Sequence, residues 1–272
     1  MSHTLDHPVI APGASPSARP AAGALELRGV SKTYAVDGKP LLVLQDINLV
    51  VKPGEFVTIV GASGCGKSTI LRLVVGLDDN YDGDILLDGL PITGPGLARS
   101  IVFQEHRLLP WLTVEQNVGL SLDVTGISGA ERERIVRDHI GLVGLRGFEK
   151  AYPRQLSGGM SQRAAIARGL VTRPEILLLD EPLGALDSLT RSYLQLELLR
   201  IWRQEKVTIV MVTHDVEEAV FLSDKVVILA PRPGRLRKII PIDLPHPRDR
   251  VNPAFGHYRK EILEYLANDY SI

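Results

Sequence analysis

The sequence predicts an α/β domain on a mainly parallel sheet, covered by helices on both faces, with a helical subdomain inserted into it. Three observations carry this. Short apolar runs such as Ile176–Leu179 and Thr208–Val212 have strand length and read as buried strands. They alternate with segments whose apolar residues recur at helical spacing, as parallel strands joined by crossover helices require. Between about Thr113 and Leu170 the strand signals cease and the pattern turns mainly helical, which marks the insertion.

Taken in order, residues 1–22 carry Pro8, Pro12, Pro16 and Pro20 among Ala, Ser and Gly, without the central apolar block of a signal peptide. They are expected to form a disordered or polyproline-like leader. Leu25–Val30 and Val43–Val51 are expected strands. Phe56–Val60 is a short apolar strand that runs into a glycine-rich turn, Gly61–Gly66. Ile70, Leu71, Leu73 and Val74 then repeat at helical spacing, and Ile85–Leu87 and Ile101–Phe103 are further strands. Ser128 and Glu131 have capping-box spacing before a helix with the apolar face Ile135, Val136, His139, Ile140 and Val143. His139 therefore reads as a core residue. Alternation resumes with strand Ile176–Leu179, helix Leu189–Gln204, strand Val207–Val212, helix Val216–Leu222 and strand Val226–Leu229. Phe255, Tyr258, Ile262 and Tyr265 or Leu266 make a last helical stripe. The expected organisation is a leader at 1–22, one domain at 23–250 with its helical subdomain at about 105–170, and a C-terminal helix within 251–272.

Composition narrows the function. Lys and Arg number 31 against 32 Asp and Glu, a formal charge of -1, so the basic excess of a nucleic-acid binder is missing. No apolar run approaches the roughly 20 residues of a membrane helix. The single cysteine, Cys65, excludes an internal disulfide framework.

The chemistry begins at Gly61-Ala62-Ser63-Gly64-Cys65-Gly66-Lys67-Ser68-Thr69, which fits G-x4-G-K-[ST] between a strand and a helix. Triphosphate oxygens need many donors at short range. Glycines let successive N–H groups converge on them, and the helix start adds its positive end. Lys67 suits the β- and γ-phosphates, and the Ser68 hydroxyl suits Mg²⁺. Cys65 is expected to be a reactive thiol with a lowered pKa, beside Lys67 at a helix start. The alternative is a thiol tucked inert against the sheet.

Strand Ile176–Leu179 ends in Asp180 and Glu181, which its direction places at the sheet edge beside the phosphate loop. Asp180 suits Mg²⁺, and Glu181 suits polarising the attacking water. His214 follows another apolar strand to the same edge, within reach of a γ-phosphate. A second anion site reads from Leu156-Ser157-Gly158-Gly159-Met160-Ser161-Gln162-Arg163, where Ser157 is a good N-cap and two glycines bare the backbone at a helix start.

In this order the motifs resemble the ATP-binding subunits of ABC transporters, over roughly residues 25–250. The resemblance identifies Gly61–Thr69 as Walker A, Gln104 as the Q-loop residue, and Leu156–Gln162 as the signature. It makes Ile176–Glu181 Walker B, 184–187 the D-loop with Asp187, His214 the switch histidine, and Tyr34 the adenine-stacking aromatic. It implies a P-loop NTPase (RecA-like) core with an antiparallel β-subdomain. It implies ATP and Mg²⁺ as ligands, Gln104 sensing the cation, and a head-to-tail dimer in which each ATP lies between Walker A of one copy and Ser157-Gly158-Gly159 of the other. It also implies a multi-span membrane permease as partner, a periplasmic substrate-binding protein in the same system, and a peripheral place on the cytoplasmic face of the inner membrane. Phe103–Val114, with Tyr152–Leu156 and Arg232–Arg235, resembles the nitrate, sulfonate and taurine importers, aliphatic sulfonate foremost. Trp111 and Leu108–Pro110 are expected to line a surface groove that receives a short permease helix, with plain packing in the helical subdomain as the alternative. Two rivals are a DNA-repair ATPase, which would need long coiled coils, and a ribosome-associated protein, which would carry two cassettes. An exporter half would commonly carry its membrane part in the same chain.

Overall fold

A computed structural model describes residues 22–184 and 186–267. The expected leader lies outside the described residues except for its last position, and so does the chain end beyond Ala267.

The chain opens with β1 (Leu25–Val36), β2 (Lys39–Val51) and β3 (Phe56–Gly61), followed by α1 (Lys67–Val75). Next come β4 (Asp82–Leu87), β5 (Leu90–Pro91) and β6 (Arg99–Val102). The helical part holds α2 (Val114–Gly119), α3 (Gly129–Leu142) and α4 (Gly158–Leu170), with short 3₁₀ turns between them. The last third alternates: β7 (Ile176–Asp180), α5 (Ser188–Glu205), β8 (Thr208–Thr213), α6 (Val216–Leu222), β9 (Lys225–Ala230), β10 (Arg235–Pro241) and α7 (Pro253–Ala267).

These strands form two sheets. A four-stranded antiparallel sheet runs β2-β1-β4-β5, and a six-stranded sheet runs β10-β9-β3-β8-β7-β6. In the larger sheet β9, β3, β8, β7 and β6 are parallel and only β10 is antiparallel. The continuous apolar runs are explained by burial on both faces. Phe56, Val60, Leu177, Leu179, Ile209 and Met211 join a core with α4, α5, α6 and the helical subdomain. Their alternates Val57, Ile59, Ile176, Leu178, Val210 and Val212 face α1 and the antiparallel sheet. That is the period of two a strand imposes.

Two local expectations change. β1 and β2 extend to Val36 and back to Lys39, beyond the strands read from the sequence, because Asp37 (φ 50°) and Gly38 (φ 74°) make a tight left-handed hairpin turn. Residues 35–42 are mostly exposed, so no hydrophobic period announced them. Ser128 is the N-cap of α3, but its side chain makes no capping bond. Gly129 beside it is left-handed at φ 58°, which breaks the regular first turn a capping box needs. The box forms at α2 instead, where Gln116 N donates to Thr113 Oγ1 (3.4 Å) and Thr113 N to Gln116 Oε1 (2.9 Å). His139 is buried, as expected, with Nδ1 2.8 Å from Ile135 O. On α7, Phe255 and Ile262 are buried, and Tyr258, Tyr265 and Leu266 pack against the core.

Candidate active site

Parallel strands all leave the sheet at one edge, so Gly61 of β3, Asp180 of β7 and Thr213 of β8 end together although they are far apart in sequence. At the end of β3 the chain curls tightly. Cys65 N donates to Ala62 O (3.2 Å), and Ile70 N donates to Gly66 O (3.0 Å), so the loop closes straight into α1. Gly66 has φ 98°, and a Cβ there would stand 2.4 Å from Leu44 Cδ2, so only glycine fits. The buried Lys67 ammonium donates to Gly61 O (2.8 Å) and Ala62 O (3.1 Å), which holds its charge on the loop. Ser63, Gly64 and Ser68 are exposed, and Thr69 is half-buried.

Ser68 Oγ donates to Asp180 Oδ1 at 3.0 Å across 112 positions of sequence. Burial pushes the Asp180 carboxyl above the usual carboxylate range, and the Glu181 charge adds to this. The Ser68 hydrogen bond, Lys67 and Arg107 act in the opposite sense. Glu181 itself lies at φ 44°, a left-handed conformation that costs a non-glycine residue about 1–3 kcal/mol. It is held there by Glu181 N donating to Val212 O (3.0 Å) and Gly184 N donating to Glu181 O (3.2 Å). Its Oε2 stands 2.9 Å from His214 Nδ1, so the imidazole donates there and Nε2 is left for another partner. Gln104 converges on the same place: a Cβ built on Gly184 would lie 3.7 Å from both Gln104 Nε2 and Glu181 Oε2. The last turn of α7, at Leu263, Leu266 and Ala267, borders the cleft formed by Gly61, Ala62, Ser63 and His214.

This arrangement can cradle a polyphosphate, offer a hydroxyl and a carboxylate to a hard divalent cation, and take a proton at Glu181. Among the described residues no cluster of three or more His, Cys, Asp or Glu could hold a metal by itself. The donor set fits Mg²⁺, which takes one or two protein oxygens and completes its shell with phosphate and water.

Tyr34, on β1, donates from its hydroxyl to Asp78 Oδ2 at 2.9 Å. Burial and Asp78 raise its pKa, while Arg72 and Thr69 beside the hydroxyl oppose them. Ser157 caps α4, accepting from Met160 N at 3.3 Å. Gly159 is buried, and a Cβ there would meet Thr190 Cγ2 at 2.7 Å, so this glycine lets α4 approach α5. Gly158 is exposed. The structure does not bring Ser157–Gly159 to the phosphate loop. Ser157 and Gly159 line a separate cleft with Arg163, Leu189, Thr190 and Tyr193. Asp187 caps α5 by accepting from Thr190 N (3.0 Å), a bond that holds its carboxyl below the usual range. Ala185, within the expected D-loop, lies outside the described residues.

Two expectations about single residues part ways. Cys65 is fully buried, and its Sγ would be 2.7 Å from a Cβ built on Gly61, so the thiol lies under the loop. The expected reagent-accessible thiolate is not met, because left-handed turns at Gly64 and Gly66 bracket a side chain packed into the sheet. Trp111 is 68% exposed. The loop before it is braced by the buried Asn117, which takes Leu109 N on Oδ1 (2.8 Å) and donates to Leu109 O and Leu112 O (3.1 and 3.0 Å).

Sequence reasoning missed a set of brackets. From α4, Arg168 donates to His106 O (2.9 Å) and Arg107 O (2.8 Å), and Gln162 Oε1 lies 2.6 Å from His106 Nδ1. The signature helix thus clamps the loop that carries Gln104. Arg191 donates to Leu186 O (3.0 Å) and Asp215 Oδ2 (3.4 Å), tying the segment before α5 to the residue after His214. Most of these partners are backbone carbonyls or distant residues, which leave no mark in a local pattern.

The ABC transporter family model matches residues 44–184. The chain is 51% identical to an uncharacterized ABC transporter ATP-binding protein of Methanocaldococcus jannaschii, over 90% of this chain and 92% of that one. It is 50% identical to the aliphatic sulfonates import ATP-binding protein of Bacillus licheniformis, over 88% of this chain and 93% of that one. Among solved structures it resembles a dimeric ATP-binding cassette in a post-hydrolysis state bound to ADP and Pi, with TM-score 0.71, 32% identity, and coverage of 81% of this chain and 99% of that one. It also resembles a part of the cbiONQ ABC transporter complex of Clostridium perfringens, with TM-score 0.74, 25% identity, and coverage of 91% and 95%. The parallel sheet with its phosphate loop is thus the P-loop NTPase core of such cassettes. A sequence that shares about half its residues with such proteins along most of its length, and folds their cassette around one phosphate loop, belongs to the ATP-hydrolysing, ATP-binding subunits of the ABC transporter family.

Proposed function

We propose that this chain powers the import of a small anion, an aliphatic sulfonate in the first instance, by hydrolysing ATP beneath a membrane permease. One observation supports hydrolysis most directly: Ser68–Asp180 (3.0 Å) and Glu181–His214 (2.9 Å) meet at the edge where Lys67 sits on its loop. The N–H groups of Gly61–Thr69 and the Lys67 ammonium bind the triphosphate, and Tyr34 stacks on adenine. Ser68 and Asp180, with Gln104, hold Mg²⁺, which when bound neutralises phosphate charge. Glu181 takes the proton of the attacking water, and His214 steadies Glu181 and reaches the γ-phosphate.

In this reading the chain works as a head-to-tail dimer. Ser157-Gly158-Gly159, of which Ser157 and Gly158 are exposed, closes the phosphate site of the second copy, and Asp187 lies at the seam. The dimeric cassette it resembles supports this, and so does the separation of the two anion sites within one copy. No described helix is long and apolar enough to cross a membrane. In this reading, attachment runs through the permease, on the cytoplasmic face of the cell membrane. The exposed Trp111 is its docking residue, and a periplasmic binding protein delivers the cargo. The likeness to aliphatic sulfonates import proteins supports the cargo, with nitrate and taurine as the neighbouring choices.

The test is reconstitution with an importer permease that binds the chain and with that permease's binding protein, reading phosphate release. Stimulation by an alkanesulfonate-loaded binding protein supports the reading. A response confined to nitrate or taurine replaces the cargo. Stimulation by DNA or ribosomes, with no permease bound, overturns transport.

A further inference from the structure

Behind Tyr34 the structure holds a small buried ionic assembly that phosphate chemistry does not use. Lys32 is 3% exposed. Its ammonium donates to Asp78 Oδ1 at 2.6 Å and to Asn80 O, and stands 4.6 Å from the centroid of the Tyr34 ring. The other oxygen of the same carboxylate accepts the Tyr34 hydroxyl at 2.9 Å. One carboxylate therefore grips both the cation beneath the ring and the ring's polar tip. β1 breaks register against β2 on both sides of Lys32. Such a bulge re-aims a side chain, and here the side chain lies buried against the ring. Burial would push the Asp78 carboxyl up, but the hydrogen bonds from Lys32, Tyr34 and Asn80 N outweigh it and hold it below the usual range.

This leaves the ring little freedom. One face is occupied by a cation–π contact, and the hydroxyl end is tied. The ring is half-exposed, and the face away from Lys32 is the one a flat partner would take in the reading proposed below. The anchor also has a defined origin. Asp78 follows the end of α1, the helix that starts in the phosphate loop, and Thr69 and Arg72 of that helix lie beside the same hydroxyl. The base platform and the phosphate cradle are thus referred to one helix. A platform already ordered spares a ligand the cost of ordering it.

We propose that Lys32 and Asp78 are positioning residues for nucleotide-base binding, locking Tyr34 in the pose that offers one ring face to adenine at a set offset from the phosphate loop. This rests on the reading of Tyr34 as the base-stacking residue. The two residues act on the base through Tyr34 and leave the phosphates to Lys67 and the loop.

The experiment compares Mg-ATP with inorganic tripolyphosphate, which has no base, by calorimetry on the full chain. Lys32→Met with Asp78→Leu removes the buried pair without leaving an unpaired charge, the substitution buried ion pairs tolerate best. Tyr34→Phe keeps the ring and removes its tie to Asp78, and serves if the double variant does not fold. Tyr34→Leu tests the platform itself. The double variant is expected to bind ATP about tenfold more weakly, and Tyr34→Phe about threefold, with tripolyphosphate affinity unchanged in both. Wild-type ATP affinity in Tyr34→Phe and in a folded double variant, with Tyr34→Leu weakened, overturns the proposal and leaves the platform reading standing. Wild-type affinity in Tyr34→Leu removes both. Equal losses for ATP and tripolyphosphate also overturn it, because the pair would then merely support the whole site.

Discussion

The starts of α1 and α4 both carry glycines and both read from the sequence as anion sites, yet they are built on different plans. At α1 the N-cap is Gly66, left-handed and without a capping side chain, so the first-turn N–H groups stay available to a ligand. Around it stand Lys67, buried on its own loop, and the Ser68–Asp180 pair. At α4 the N-cap is Ser157, extended at φ −69°, and its hydroxyl already satisfies Met160 N. Gly158 there lies exposed, and the cleft beside it is lined by one cation, Arg163, without a hydroxyl–carboxylate pair like Ser68–Asp180. The α1 site is equipped to bind a nucleotide alone. The α4 site is a partial surface that becomes useful when something brings an anion to it.

Four tests break or sharpen this contrast. The largest effect is expected at Glu181, which belongs to the α1 side. Glu181→Gln keeps the shape and removes the charge, so turnover in the assembled transporter should fall at least about 100-fold. ATP binding by the isolated chain should persist. Near wild-type phosphate release would take Glu181 out of the role.

Next comes a matched pair. Lys67→Ala should weaken ATP binding to the isolated chain by about tenfold or more, the value of a charged hydrogen-bonding group. Gly158→Asp puts a carboxylate at the α4 site. It should leave isolated-chain affinity within about twofold, while turnover in the assembled transporter falls at least about tenfold. Equal losses of binding in the two isolated variants would erase the distinction between a complete site and a partial one.

A smaller effect should appear with pH. Burial raises the Asp180 pKa, so acidification protonates it sooner than an ordinary carboxylate, and a protonated acid is a poor Mg²⁺ ligand. Mg²⁺-dependent nucleotide affinity should therefore drop as pH falls towards that raised pKa and be full above it. Asp180→Asn should bind Mg²⁺-nucleotide weakly at every pH, with a flattened profile. A wild-type profile that stays flat to the ordinary carboxylate range would show that Asp180 does not govern the cation.

The smallest effect is at Ser157. Ser157→Ala removes one capping bond and should cost about 1 kcal/mol at the first turn of α4. Amide exchange at Met160 should quicken, with α1 unaffected. Unchanged protection would show that the serine hydroxyl is not what holds that turn.

Legibility varied with range. The loop Gly61–Thr69 reads from the sequence because its donors lie within one contiguous stretch. The strands β3, β7 and β8 read well because burial on both faces demands unbroken apolar residues. The outer half of the β1–β2 hairpin did not, since exposed residues there carry no period. Ser128 shows a motif present without its bond, because Gly129 takes a backbone path the pattern cannot express. Cys65 shows the same for chemistry: its neighbours favour a thiolate, but its direction buries it.

The residue types proposed to meet phosphate, cation and water were legible in the sequence itself, since strand periodicity, helix capping and a glycine loop are rules over a few adjacent residues. Tertiary structure decided which of them meet. Ser68 finds Asp180 only because β8 stands between β3 and β7 in the sheet and all three run the same way. The left-handed turn of Glu181 towards His214, the clamp of Arg168 on His106 and Arg107, and the grip of Asp78 on Lys32 and Tyr34 are likewise contacts that only the folded chain makes. A contact between distant residues depends on strand order and on what each side chain is pressed against, and neither is written in any local stretch of chain.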